Sequence, residues 1–350
     1  MTIILGLNAR RFGRSWLAGL WLAWLISIAV AAQEATTLRL GYFPNVTHAQ
    51  ALHARATGEL DRSLGVPIKW TAFNAGPTAI ESMLTDAVDA TFIGPSPAIN
   101  GYLKSRGEKV VVIAGCASGG AGLVVRTKSG IQGERDFADR VIATPQLGNT
   151  QDVAAREWFA SHGYRLRDQG GNVTIIPLSN PDQLTMFKKR QIDAAWTVEP
   201  WLARLEVEGG GRVFLEEKSL APDGQCLITL LVVNPAYLVR NKATVRKLLA
   251  GLVEITQRLN ADKTAAATIL NQQLKKETGK SLSPEVMEKA MRRVEFTWDP
   301  QSASLRRAAE AAHHIGFLRQ PPALGGIYSL GLLNEVLREK NLPTVVGIGQ

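Results

Sequence analysis

The chain has 350 residues and a formal net charge of +9, from 40 Lys and Arg against 31 Asp and Glu, with only two cysteines. That length suits two domains of ordinary size. The positive charge is too diffuse for nucleic acid and shows no basic run interleaved with aromatics, so it favours small anionic ligands instead.

The first residues read as an export signal. Arg10, Arg11 and Arg14 precede the apolar run WLAGLWLAWLISIAVA (16–31), and small residues at Ala29, Ala31 and Ala32 end it. This pattern predicts a secretory signal peptide over 1–32, cleaved after Ala31 or Ala32, with an uncleaved membrane anchor as the alternative. Gly13 and Arg14 fall where a twin-arginine signal wants apolar residues, and no cysteine ends the run for lipid attachment. Cleavage removes three arginines and no acids, which lowers the charge to +6 over 318 residues. Beyond it no second apolar stretch is long enough to span a bilayer, so the mature chain is expected to be soluble and periplasmic.

Strands and helices then alternate. TLRLGYF (37–43), PIKWTAF (67–73), DATFIG (89–94) and KVVVIAG (109–115) read as strands, separated by helical patterns at 49–60, 77–87 and 98–107. The rhythm restarts with strands at 139–145, 172–178 and 193–198, and the glycine cluster GGGR (209–212) breaks it. LITLLVV (227–233) is apolar throughout, as a buried strand should be, and the remainder is almost wholly helical. The fold class expected is α/β, with mostly parallel sheets in two lobes: 36–120 with 227–350, and 121–226. Two crossover strands join them, and the helical tail packs on the first lobe.

Five loops at strand ends share a character: GYFPNVTHA (41–49), GPSPA (94–98), GCASGGAG (115–122), GNTQD (148–152) and WTVEPW (196–201). Four are rich in Gly, Ser, Thr or Asn, and three precede helices. Helix starts expose unpaired N–H groups and partial positive charge, so together they can attract an anion into a neutral pocket. Each has a plainer reading. Asn149 or Thr150 can cap its own helix, Asp152 can compete for the same N–H groups, Ser96 can end a strand between two prolines, and Thr47 or His48 can begin a helix. Glycines 119, 120 and 122 can serve only as a hinge. Trp196 and Trp201 fit a core or a pocket wall. Glu199 can receive a substrate amine, bridge the lobes or act as a base. Recurrence at successive strand ends favours the binding reading.

Catalytic signatures are mostly absent: no GxSxG, HExxH, CxxC, Walker or GxGxxG motif occurs, and His313-His314 points to different helix faces. Neither a cofactor nor a metal is called for. Cys116 and Cys226, each before an apolar run, either pair as a disulfide or stay buried free thiols.

The set LGYFPNVTHAQAL, FIGPSPAINGYL, IAGCASGGAGLVVR, LGNTQDVAAREWF, IDAAWTVEPW and GIYSLGLLNEVL (326–337) resembles the periplasmic substrate-binding proteins of ABC importers in the nitrate, sulfonate and taurine group, related to the thiamine-pyrimidine precursor family. The resemblance runs from about Leu38 to Leu337 and implies a two-lobed type II binding fold that closes on an oxyanion and delivers it to a permease and its ATPase. By position it implies ligand contacts at Thr47, His48, Ser96, Gly119, Gly120, Asn149, Thr150, Gln151, Trp196 and Glu199. No Arg or Lys lies in these loops, where readers of nitrate and sulfonate often supply one, while Glu199 stands where taurine binders tend to place an acid. The expectation is therefore a monomeric, non-enzymatic solute receptor for a small anion or zwitterion. Two alternatives remain: an exported enzyme acting on a thiamine-precursor-like compound, and a sensory solute-binding module. The lysine and cysteine cluster that such enzymes use are missing from the first strand-helix unit.

Overall fold

The computed structural model describes residues 37–348, so the expected signal peptide at 1–32, and the anchor that is its alternative, lie outside the described residues. Among the described residues no helix is long and apolar enough to cross a membrane. The chain begins with β1 (Leu38–Tyr42), α1 (Ala49–Thr57), α2 (Glu59–Leu64), β2 (Ile68–Ala72), α3 (Gly76–Leu84), β3 (Ala90–Ile93), α4 (Pro95–Lys104) and β4 (Val111–Gly119). It continues through β5 (Ala121–Arg126), β6 (Val141–Thr144), α5 (Thr150–Ser161), β7 (Thr174–Pro177), α6 (Asn180–Lys188), β8 (Ala194–Val198), α7 (Trp201–Val207) and β9 (Gly211–Glu216). It closes with β10 (Leu227–Val233), α8 (Pro235–Arg240), α9 (Lys242–Ala261), α10 (Lys263–Thr278), α11 (Pro284–Arg293), β11 (Val294–Phe296), α12 (Ser302–His314) and α13 (Gly331–Glu339).

These strands make two sheets, ordered β11-β4-β10-β3-β1-β2 and β7-β6-β8-β5-β9. Among these strands, β1 pairs in parallel with β2 and β3, and β6 with β7 and β8. The crossover strands run antiparallel: β10 lies between β3 and β4, and β5 between β8 and β9. The chain leaves the first sheet at β4 and returns at β10, the two passages that define the two-lobed α/β binding fold.

Period-two alternation explains the second sheet. Leu123 and Val125 of β5 enter one apolar cluster with Trp196 of β8, while Val124 and Ala195 enter the cluster on the opposite face. Both faces are covered, so the strands carry apolar residues throughout. In α9 the buried set Val245, Leu248, Leu249, Leu252, Ile255 and Leu259 follows the helical period and faces the first sheet's core. The tail does more than cover that lobe: α12 packs on α5, and α11 on α7. The GGGR cluster is not only a break, since its last two residues open β9 at the sheet edge.

The disulfide left open by the sequence does not form, and Cys116 and Cys226 are buried free thiols. Register explains it. The Cys226 carbonyl accepts from Gly119 N at 2.7 Å and Ser118 Oγ at 3.1 Å, while the Cys226 thiol reaches Glu217 Oε2 at 3.7 Å. Cys226 therefore stands opposite 118–119, away from Cys116.

Candidate ligand-binding cleft

The strand ends of both sheets meet at one narrow cavity. After β1 the loop forms a 3-10 turn at Val46–His48 whose residues are all buried. Gly94 precedes α4 and Asn149 precedes α5, yet neither side of these starts carries a side-chain cap hydrogen bond. Later helices differ: Asn234, Asp262 and Ser283 each accept first-turn amides through their own side chains. Asn149 instead donates its Nδ2 to Gln151 Oε1 at 3.0 Å. The plain capping reading of Asn149 therefore does not hold.

Asp152 does not compete for the exposed helix amides either. Its carboxylate turns back to Thr144 Oγ1 (2.8 Å), Gly148 N (2.9 Å) and Arg156 Nε (3.1 Å). In α4, Pro95 and Pro97 lack an N–H, which leaves Ser96 the first-turn donor.

The cavity, of about 20 Å³, is lined by Thr47, His48, Asn149, Thr150 and Gln151 together with Asn45, Asn74 and Asn180. That space holds about one water molecule. No Lys, Arg, Asp or Glu is among its lining residues. His48 is buried and stacks on Phe43 at a centroid distance of 4.4 Å. Burial lowers its pKa to about 3, so the ring is neutral. With Nδ1 accepting from Phe43 N at 3.4 Å, the proton belongs on Nε2, which makes His48 an uncharged donor. Asn180 Oδ1 accepts from Thr197 Oγ1 at 3.1 Å, leaving its amide N–H groups for the cavity.

Asn45, Asn74 and Asn180 were not singled out in the sequence. Asn45 lies in the quoted FPN stretch and Asn180 in SNP (179–181), so a search for asparagine at every strand end would have found both. Asn45 also spans the lobes, since its Oδ1 accepts from Trp201 Nε1 at 3.0 Å, and the Trp201 ring lies 4.6 Å from the Arg204 guanidinium.

The remaining expected residues lie elsewhere. Ser96 borders a second, adjoining cavity of about 330 Å³, which also includes Thr150. Gly119 and Gly120 take left-handed φ of 71° and 73° at the first crossover, where Gly120 O accepts from Glu199 N at 2.8 Å. They shape the passage between lobes and do not line the narrow cavity. Trp196 belongs to the core of the second lobe, because the alternation of β8 turns it onto α5, and its Nε1 donates to Glu217. Glu199 is fully buried and already occupied: Arg293 Nη1 donates to its Oε1 at 3.0 Å and Ala203 N to its Oε2 at 3.1 Å. Burial pushes this carboxyl up to about 7, with Arg293 pulling it back. Arg293 also reaches Glu206 and Glu216 at 2.8 and 2.9 Å, so α11 ties the first lobe to the second through Glu199. Of its three sequence readings, bridging the lobes is the one these contacts describe.

A two-lobed α/β fold with a polar, uncharged cavity at the strand ends of both sheets is the architecture of a periplasmic solute-binding protein. Residues 31–272 match the NMT1-like family, and the chain belongs to it. A putative aliphatic sulfonates-binding protein of Bacillus subtilis is 26% identical over 156 residues, 44% of this chain and 45% of that protein, so the match spans less than half of either. Among solved structures, the alkanesulfonate-binding protein SsuA of Xanthomonas axonopodis pv. citri, bound to MOPS, is similar at a TM-score of 0.70 and 20% identity, covering 86% of this chain and 100% of that one. The periplasmic nitrate-binding protein NrtA of Synechocystis is similar at a TM-score of 0.75 and 15% identity, covering 90% and 93%. At such identities the structural likeness establishes the fold.

Proposed function

We propose that this chain is an extracytoplasmic solute receptor of an ABC importer that binds a small oxyanion of the sulfonate or nitrate class. Its lobes, 36–120 with 227–350 and 121–226, part to admit the ligand, close on it, and present it to a permease. One observation carries the reading: uncharged donors from both sheets (Thr47, His48, Asn149 and Gln151 among them) converge on one cavity lined by no formal charge. Donors of this kind favour an anion through N–H and O–H dipoles and the ends of helices. They do so without a fixed cation that would resist release. The aliphatic sulfonate and nitrate relatives support the ligand class, and the periplasmic setting of the nitrate-binding protein supports export through the segment at 1–32.

Titration calorimetry with methanesulfonate, propanesulfonate and nitrate tests this. Saturable binding of at least one of them, with the ligand recovered unchanged, is the expected result. Turnover of the bound compound would favour the enzyme alternative, and absence of binding to all three would defeat the receptor reading.

A further inference from the structure

A larger cavity of about 600 Å³ adjoins the narrow cleft and shares Asn45, Asn74 and Asn180 with it. It lies between the loops after β1 and β2, the helices α6 and α7, and the end of α10, so elements of both lobes enclose it. Phe73 and Trp201 form part of its apolar wall, and Trp201 is the residue that reaches Asn45 across the cleft. The three shared asparagines make the larger cavity the approach to the neutral donors of the narrow one.

Unlike the cleft, this approach is bordered by formal charge, and most of that charge is committed locally. Arg204 is bidentate on Glu208, at 2.8 and 3.1 Å, and its guanidinium also covers the Trp201 ring. Glu277 pairs with Arg55 at 2.8 Å and accepts from Gln273 Nε2 at 2.7 Å. Lys188 and Lys280 are the exceptions. Both are exposed, and neither ammonium has an ion pair or hydrogen bond among the described residues. Lys188 ends α6 in the second lobe, and Lys280 follows α10, which packs on α1 in the first. The two uncompensated cations therefore come to the approach from opposite lobes.

Helix-end dipoles fade within about one turn, so neutral donors grip an anion only once it has arrived. A full charge acts further, with a screening length of about 10 Å at 0.1 M salt. Cations fixed at the mouth of a cleft raise the local concentration of anions and their rate of arrival. We infer that Lys188 and Lys280 form an outer collecting site, which draws an oxyanion towards the cleft and leaves its grip to the donors within. The assignment rests on the receptor reading and adds to it the residues that set arrival. Both lysines are exposed and hydrated, so they hold the anion too weakly to compete with the cleft.

Titration calorimetry of the full mature chain with methanesulfonate, propanesulfonate and nitrate, at about 20 mM and about 500 mM salt, tests it. At the lower salt, Lys188→Gln with Lys280→Gln should bind at least about fivefold more weakly than the wild type. At the higher salt the two proteins should agree within about twofold. Competition by the salt's own anion weakens both alike, so the gap between them belongs to the lysines. Lys128→Gln with Lys242→Gln removes the same charge from residues that line neither cavity, and should follow the wild type throughout. Stopped-flow tryptophan emission should place the loss in the association rate, with dissociation within about twofold of wild type. Equal affinities at low salt, a loss that persists at high salt, faster dissociation, or the same loss in the Lys128 and Lys242 pair would each overturn the assignment while leaving the receptor reading intact. Failure of the wild type to bind any of the three anions would remove the receptor reading itself, and this inference with it.

Discussion

Single residues decide how the cleft can hold an anion. Ser96 and Asn149 stand at helix starts, but neither makes the side-chain bond that a cap makes: the Ser96 hydroxyl has no partner, and the Asn149 amide turns to Gln151 instead. Ser96→Ala combined with Asn149→Ala should weaken ligand binding at least tenfold, roughly 1.4 kcal/mol, with little change in the thermal midpoint. A pair of true caps would instead lose about 1 kcal/mol of stability each. Calorimetry and thermal denaturation of the same samples separate the two outcomes. Thr47, His48 and Asn149 to Gln151 were legible in the sequence because polar residues recur at strand ends, where the topology of an α/β sheet gathers them. Trp196 was not, because its side of β8 is set by register, and WTVEPW reads the same whichever face turns inward.

At the scale of elements, the alternation of strand and helix was plain to read, whereas the pairings that cross between distant segments were not. The strand β9 hid behind a glycine cluster, and its residues are half-buried at an edge, where the hydrophobic pattern is weakest. Glu199 looked like a lone acid in a cleft loop. Its partner lies 94 positions later at the end of α11, a distance over which no local pattern carries information. That ion pair sets a stability prediction. Arg293→Met strands the buried Glu199 carboxylate and should destabilise the fold by about 3–5 kcal/mol in urea denaturation. Adding Glu199→Gln should recover a large part of the loss, since the uncompensated charge goes with it. If the single variant is nearly neutral, the bridge contributes little to holding α11 against the second lobe.

For the whole molecule, the contacts between lobes are few in kind and unequal in chemistry. A charged network gathers around Arg293, and Arg307 and His314 of α12 pair with Asp223 and Glu157, while Trp201 and Asn45 are joined at the cleft by a neutral hydrogen bond. In the receptor proposed here, parting of the lobes breaks the Trp201–Asn45 bond and wets the indole, and ligand-driven closure restores it. Tryptophan emission should therefore shift to the blue when an oxyanion is added, and Trp201→Phe should abolish most of that shift while leaving the affinity within a fewfold of wild type. An unchanged shift in the variant would assign the signal to another tryptophan and remove Trp201 as the reporter. The hydrogen bond from a single indole thus gives the chain a built-in optical gauge, readable in a cuvette without any attached dye.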